Sequence, residues 1–206
     1  MAEILKLVPQ DKSGRDYLGF WMMECIFLNP DNHMSLGYLP KPYEYADHDL
    51  KSLNPSEVSP TAKYVLRKNL EVIENLDKEL SAEGIDIFNL EGVVKIDENN
   101  YICPPILEVW NQKPFNGVPV VVDGAHRLYI AKKRGINVNC MVVSGNISSD
   151  LPMLPLGGWS EVLEQDNVPK DKRNYAPGIP APWKPHELYR QKFHGSTGPR
   201  TILGSG

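Results

Sequence analysis

The sequence has few cysteines and no long apolar run. Its three cysteines, Cys25, Cys103 and Cys140, are widely spaced and form no C-x-x-C pair, which does not fit a disulfide framework or a thiolate zinc site. No stretch approaches the roughly 18 apolar residues of a membrane-spanning helix. The first residues, MAEILKLVPQDKSGRD, lack the apolar core and the cleavage site of a signal peptide. We therefore expect a cytoplasmic, soluble protein with free thiols and no membrane partner.

An excess of positive charge is also lacking. The chain has 26 acidic and 22 basic residues, a formal net charge of −4, whereas broad nucleic-acid binding usually requires a basic face. A nucleic acid remains a possible partner through a local basic patch, but it is not favoured. With 206 residues and 41% hydrophobic content, the chain can bury one core.

We expect one domain with additions at both ends. Residues 1–48 are predicted to form an N-terminal extension packed on the core, and residues 49–165 the domain itself. Residues 166–206 are rich in proline, glycine and basic residues and lack core periodicity, which predicts an irregular tail.

The most informative stretch is 118–143, VPVVVDGAHRLYIAKKRGINVNCMVV. The β-branched run Val120–Val122 predicts a strand covered on both faces. After Asp123 and Gly124, good helix formers from Ala125 to Arg134 end in a basic turn before Gly135, which is typical of a helix and its C-terminal glycine. A second buried strand follows.

The junction between strand and helix favours an anion, most plausibly a phosphate. Free N–H groups of the first helical turn, around Ala125 to Arg127, would face the crevice at the end of the strand. His126 and Arg127 would add side-chain donors. Strand–glycine–helix turns are common, however, so Arg127 could instead pair with a carboxylate and His126 could cap the turn. Asp123 beside an anion is unfavourable unless it holds a metal, a substrate hydroxyl or Arg127.

These residues resemble a known signature. The run from Asp123 to Leu128, DGAHRL, followed by Ala131 and Gly135, resembles the DG-x-HR-L-x-A-x-x-x-G motif of the ParB/sulfiredoxin superfamily. Pro104-Pro105-Ile106 resembles the PPI segment that precedes it. The resemblance covers about residues 49–143 and implies an α+β fold, a mixed sheet flanked by helices. Members include sulfiredoxins, CTP-hydrolysing partition proteins, nucleases and free serine kinases.

Departures from the family pattern reduce the number of family activities that this sequence could have. Ala125 stands where sulfiredoxins carry their reactive cysteine, so the nucleophile of a sulfinic-acid reductase is missing. The acidic balance and the irregular tail do not match the basic helix-turn-helix of partition proteins. The sequence still resembles the free serine kinases of the superfamily, because Asp123, His126 and Arg127 are all present.

The leading hypothesis is a nucleotide-dependent phosphotransferase or nucleotide hydrolase acting on a small-molecule hydroxyl, with ADP, ATP or CTP and Mg²⁺. The resemblance implies that Gly124, Ala125, His126 and Arg127 hold the phosphates and that Asp123 binds the metal. In Asn54-Pro55-Ser56-Glu57, where the kinases carry Lys-Pro-x-Glu, it implies that Glu57 is the general base; Asp123 is the other candidate.

Two alternatives from other classes stay open. One is a nucleotide-sensing or DNA-associated regulatory protein without turnover. The other is a nuclease, for which Asp123 would share a metal with a second carboxylate; Glu108 is the nearby candidate. We otherwise expect Glu108 to be a solvated strand residue.

The remaining predictions concern the scaffold. An apolar stripe predicts a helix over Thr61–Glu83, formed by Leu66, Leu70, Ile73, Leu76 and Leu80. Residues 86–100 read as an insertion containing a short strand at 93–96. The run 17–28, YLGFWMMECIFL, predicts core packing or, less favoured, a partner-binding face. Residues 29–49 predict an irregular loop in which His33 and His48 lie in solvated turns rather than at a metal.

Overall fold

A computed structural model describes residues 3–5, 45–95, 100–110, 117–146, 153–175 and 200–201. The first half of the elements comprises β1 (Glu3–Leu5), β2 (Tyr45–Leu53), β3 (Tyr64–Leu66), α1 (Arg67–Ala82), β4 (Val93–Lys95), β5 (Asn100–Ile102) and β6 (Ile106–Trp110). The second half comprises β7 (Val118–Asp123), α2 (Ala125–Arg134), β8 (Val138–Asn146), β9 (Met153–Leu154), β10 (Leu163–Gln165), β11 (Asn174–Tyr175) and β12 (Arg200–Thr201). Short 3-10 turns lie at Pro55–Glu57 and Trp159–Glu161.

The main sheet has four strands in the order β2-β8-β6-β7. β8 pairs antiparallel with β2 and parallel with β6, and β6 and β7 form an antiparallel hairpin. The sheet is therefore mixed, and with the two helices it confirms the predicted α+β class. The predicted strand–turn–helix at 118–134 is also confirmed, because β7 and α2 occupy those positions.

Both helices pack on one face of this sheet. A single hydrophobic cluster joins the apolar side of α1 to α2 and to strand residues Leu107, Val121 and Val142. α1 contributes Leu70, Ile73, Leu76 and Leu80, which are four of the five stripe residues. Burying such a stripe, rather than helix propensity, supplies most of a helix's stability in a protein.

The helix predicted from Thr61 begins later, at Arg67. Tyr64–Leu66 instead forms β3, which pairs in parallel with β10 and is buried at three consecutive positions. Continuous burial of this kind suits a covered strand and not one face of a helix. Pairing with a strand about 100 residues later is a tertiary contact that local periodicity does not contain.

A second sheet is built on the insertion. Val93–Lys95 and Asn100–Ile102 form an antiparallel pair, and β1 and β12 flank it in the order β1-β4-β5-β12. The predicted strand at 93–96 is thus present at Val93–Lys95, and Ile96 lies outside the described residues. β1 and β12 are the first and last segments that the structure describes, and they pair with β4 and β5 respectively.

The loop prediction for residues 29–49 was wrong at its end. β2 starts at Tyr45 and continues to Leu53 along β8, so His48 lies in a strand opposite Val143 and not in a turn. Residues 17–28 and His33 lie outside the described residues. Within the described ranges no group of three or more His, Cys, Asp or Glu side chains could hold a metal, and no helix there is long and apolar enough to cross a membrane.

Ion pairs tie β10 to both helices. The Glu164 carboxylate accepts hydrogen bonds from Lys133 Nζ (2.9 Å) and Tyr129 Oη (3.1 Å), both on α2. Arg67, at the start of α1, forms an ion pair with Glu164 (3.8 Å) and donates from Nη1 to Asp166 (2.7 Å), the residue after β10. The hydrogen bond from Lys133 is the main cause that lowers the pKa of Glu164, with the Tyr129 hydroxyl adding to it.

We predict that Glu164→Gln lowers the free energy of unfolding at pH 7 by about 0.5–1 kcal/mol, as for other partly exposed ion pairs. Because the folded-state pKa is lowered, the contribution is present above the ordinary glutamate pKa of about 4.3 and disappears as the pH falls through the folded value. Urea unfolding at pH 7 and at lower pH measures it. Glu71→Gln, at an exposed position of α1, is the matched control, and an equal loss there would contradict the assignment.

Candidate functional site

The strand-to-helix corner is set by one glycine. β7 ends at Asp123, and Gly124 adopts a left-handed conformation (φ 84°, ψ 17°) before α2 begins at Ala125. Leu128 N–H donates to Gly124 O (3.0 Å), which is the first hydrogen bond of the helix. The amides of Ala125 to Arg127 therefore have no acceptor within the helix and point toward its N-terminal end. A β-carbon at Gly124 would lie 2.6 Å from Pro105 Cβ. The PPI segment therefore packs directly on the corner.

His126 faces inward and joins the two helices. Its Nε2 accepts a hydrogen bond from the backbone N–H of Leu66 (3.0 Å), the residue that precedes α1. Because Nε2 is the acceptor, the proton of the neutral ring is on Nδ1. In this arrangement Nε2 cannot donate to a phosphate.

Arg127 also faces inward. Its side chain is buried, with only 5% exposure, and its guanidinium donates to two backbone carbonyls, Ile87 O (3.2 Å) and Cys103 O (2.6 Å). Burial is the main cause that lowers the pKa of Arg127. No ion pair joins it to a carboxylate of the described residues. The guanidinium thus binds two backbone carbonyls, whereas the sequence suggested a phosphate or a carboxylate as its partner.

The two cysteines near Arg127 are buried. Cys103 and Cys140 are both free thiols. Burial raises the pKa of Cys140 to about 12, although the charge of Arg127 acts in the opposite direction. A thiol with so high a pKa is not a nucleophile at neutral pH.

The two candidate acids differ in environment. Asp123 is buried at 9% exposure and lies opposite Ile106 in the hairpin. Glu57 is exposed in the 3-10 turn Pro55–Glu57, which Trp159 fixes by donating from Nε1 to Pro55 O (2.7 Å). Among the described residues no side chain bonds the Glu57 carboxylate, so no hydrogen bond or ion pair joins it to Asp123. The roles of both acids stay predictions.

Glu108 corrects a prediction. It is 2% exposed and lies in β6 between Val120 of β7 and Val143 of β8, so it is not a solvated strand residue. Alternation along β6 correctly predicted that Glu108 and Leu107 lie on different faces of the sheet. The burial of both faces was not predicted. It is also not paired with Asp123, whose partner in the hairpin is Ile106.

The corner therefore holds residues 123–127 together, and all of them except the half-buried Ala125 are buried. A backbone cradle of this type fits a phosphate. One carboxylate beside it fits Mg²⁺, which usually takes one or two protein carboxylates together with phosphate oxygens and water. The residues that sequence reasoning missed are Leu66 and Pro105, which hold His126 and Gly124; only the PPI resemblance gave a signal for the second.

We predict that Gly124→Ala destabilises the protein by well over 1 kcal/mol, because a left-handed alanine costs about 1 kcal/mol and its β-carbon would also collide with Pro105. Gly135→Ala is the matched control: Gly135 has φ 68°, and a β-carbon added there would have nothing within 4 Å. The difference between the two variants in urea unfolding measures the collision. Equal losses would mean that the packing of Pro105 on the corner is unimportant.

We predict that Arg127→Met lowers the free energy of unfolding by about 2–4 kcal/mol, because it leaves two buried carbonyls without their charged donor. Arg134→Met on the same helix, where the guanidinium makes an exposed ion pair with Asp77 (2.6 Å), is expected to cost no more than about 1.5 kcal/mol. Chemical unfolding monitored by circular dichroism checks both. A loss at Arg127 as small as that at Arg134 would refute the clamping role.

Comparisons with known proteins add one match. The family described as ParB CE domain matches residues 39–162, a range that covers well over half of the chain and includes the corner at 123–127. No curated protein and no solved structure matches the chain. The match confirms the superfamily resemblance of the DGAHRL and PPI segments, and the chain belongs to the ParB CE domain family.

Proposed function

We propose that this protein binds the phosphates of a nucleotide, ADP, ATP or CTP, at the start of α2. One observation carries the proposal: left-handed Gly124, packed on Pro105, starts a ten-residue helix directly at the end of β7. The helix dipole and the first-turn amides favour a negatively charged group at that end. The cradle is made by the main chain, and among its residues Ala125 is the half-buried one.

The proposed division of labour differs from the one that the resemblance implies. The amides of residues 125–127 contact the phosphate. Arg127 and His126 instead fix the cradle, since the first holds the carbonyls of Ile87 and Cys103 and the second holds the amide of Leu66. The positive charge of Arg127 and the dipole of the His126 ring still act at short range on a bound anion.

The first use that we propose for the nucleotide is phosphoryl transfer to a small-molecule hydroxyl, or hydrolysis. Asp123 would hold Mg²⁺, which when bound neutralises phosphate charge. Glu57 would take the proton from the substrate hydroxyl, and its exposure leaves it open to a substrate. Such chemistry needs positioning and charge neutralisation more than a nucleophilic side chain. The cytoplasm is the proposed location.

A second candidate is a nucleotide-responsive ParB-like protein without turnover. It is favoured by the inward direction of His126 and Arg127 and by the separate turn that carries Glu57, whose carboxylate bonds no side chain of the described corner. In this case the nucleotide would act through the position of α2 alone. Nucleic-acid binding is not favoured, because the chain carries a net charge of −4.

We predict that Ala125→Asp weakens nucleotide binding, because it places a carboxylate beside the phosphate, while Ala125→Asn retains it. Aspartate is tolerated in the first turn of a helix, and asparagine matches its size without the charge. We expect at least a tenfold difference in affinity, about 1.4 kcal/mol. The measurement is calorimetry with ADP, ATP and CTP, with and without Mg²⁺, after a thermal-shift screen that detects binding by mass action.

The outcomes separate the proposals. Equal affinity of the two variants would place the nucleotide elsewhere, and the absence of binding by the unmodified protein would refute nucleotide recognition. Where binding holds, product analysis and Glu57→Gln distinguish the two uses. Loss of product with intact binding supports phosphoryl transfer, whereas binding without any product supports the regulatory protein.

A further inference from the structure

The turn that carries Glu57 is closed by its own main chain. The amide of Glu57 donates to Asn54 O (2.9 Å), and the amide of Val58 donates to Pro55 O (3.2 Å). Pro55 and Val58 are buried, whereas Ser56 and Glu57 are exposed. Both hydrogen bonds lie within the turn, so they do not set its position relative to the rest of the domain.

A buried indole joins this turn to a distant part of the chain. Trp159 is 4% exposed, and its Nε1–H donates to Pro55 O (2.7 Å). A carbonyl oxygen has two lone pairs, so Pro55 O accepts this hydrogen bond together with the one from Val58. The indole therefore contacts the turn at a carbonyl that also takes part in closing it, two residues before Glu57.

The segment that carries Trp159 is held on both sides of the indole. The amide of Leu156 donates to Pro60 O (2.8 Å), and the amide of Leu163 donates to Lys63 O (3.0 Å). These two main-chain hydrogen bonds keep the segment beside the chain that follows the turn. The donor of Trp159 therefore has a fixed position.

The same indole contacts α2. Its ring centroid lies 6.0 Å from that of Tyr129, with an angle of 52° between the ring planes, which is within the range that aromatic pairs prefer. Tyr129 follows Ala125, the half-buried residue of the cradle, by one helical turn. Backbone positions of α2 and of the turn Pro55–Glu57 also lie within 8 Å of one another. Trp159 thus contacts the turn with its N–H and the helix of the cradle with its ring.

We propose that Trp159 is a positioning residue for phosphoryl transfer, because it holds the turn that carries Glu57 against α2. This role rests on the proposed function, in which Glu57 takes a proton while the first-turn amides of α2 bind phosphate. A general base must lie within hydrogen-bond reach of the proton that it takes, and a misplacement of about 1 Å can lower a rate about 100-fold. The buried indole acts through the turn and does not contact the substrate.

Trp159→Phe tests the proposal, because it keeps an aromatic ring beside Tyr129 and removes the N–H donor. We expect the amides of Glu57 and Val58 to exchange hydrogen at least about tenfold faster than in the unmodified protein. With the nucleotide that binds and Mg²⁺, we expect kcat to fall at least about tenfold and the nucleotide affinity to stay the same. Trp110→Phe, the same exchange at a half-buried position of β6, is the control and should change none of these quantities.

A double-variant cycle separates positioning from a general structural effect. Glu57→Asp keeps a carboxylate but shortens the side chain, so the base is already displaced while turnover stays measurable. If Trp159 acts through Glu57, Trp159→Phe lowers kcat much less in the Glu57→Asp protein than in the unmodified one. If Trp159→Phe does not fold, 3-benzothienylalanine at this position, which keeps the bicyclic ring and lacks the N–H, replaces it in every measurement.

The outcomes distinguish this role from the proposed function. Equal effects of Trp159→Phe in both backgrounds, or no effect on kcat in either, would overturn the positioning role and leave phosphoryl transfer standing. Unchanged exchange of the amides of Glu57 and Val58 would overturn it as well. If the unmodified protein forms no product from any nucleotide that it binds, phosphoryl transfer itself is refuted, and the positioning role with it.

Discussion

The corner between β7 and α2 depends on the buried guanidinium of Arg127. Removing a charge from water costs several kcal/mol even after relaxation, and the two carbonyls of Ile87 and Cys103 offset part of this through charge-assisted hydrogen bonds of about 1.5–3 kcal/mol each. The contribution of Arg127 is to hold segments of the chain in fixed positions. One side chain fixes the segment after α1 and the segment before β6 relative to the first turn of α2.

Two further contacts hold the same turn from other directions. His126 accepts the Leu66 amide at the start of α1, and Pro105 packs where Gly124 lacks a side chain. Three elements thus converge on five residues, which makes the direction of the first-turn amides a property of the fold. These contacts order the first turn of α2 without a bound ligand, and a preformed arrangement lowers the ordering cost of binding.

Local features of the sequence were sufficient for the backbone of the corner. The β-branched run, the glycine before Ala125 and the glycine after Arg134 predict β7 and α2 at the observed positions. The directions of His126 and Arg127 were not predictable in this way, because their acceptors and donors lie 24 to 60 residues away. Both residue types bind phosphate as readily as they bind backbone, and only the tertiary neighbours decide. The same limit applies to β3, whose partner is β10, and to His48, which pairing with β8 draws into a strand.

The burial of Glu108 shows a related limit and bears on the meaning of the family motif. Alternation along β6 predicts that Glu108 faces away from Leu107, but it cannot state whether that second face meets water or protein. The structure shows protein on both sides, and a buried carboxylate is retained only where hydrogen bonds or charges compensate it. Residue types that often carry chemistry can therefore serve the scaffold in this domain: the side chains of Arg127, His126 and Glu108 are all directed inside. It follows that the His-Arg pair of the DGAHRL segment has a structural role in this fold, because both side chains hold backbone groups of distant segments at the start of α2.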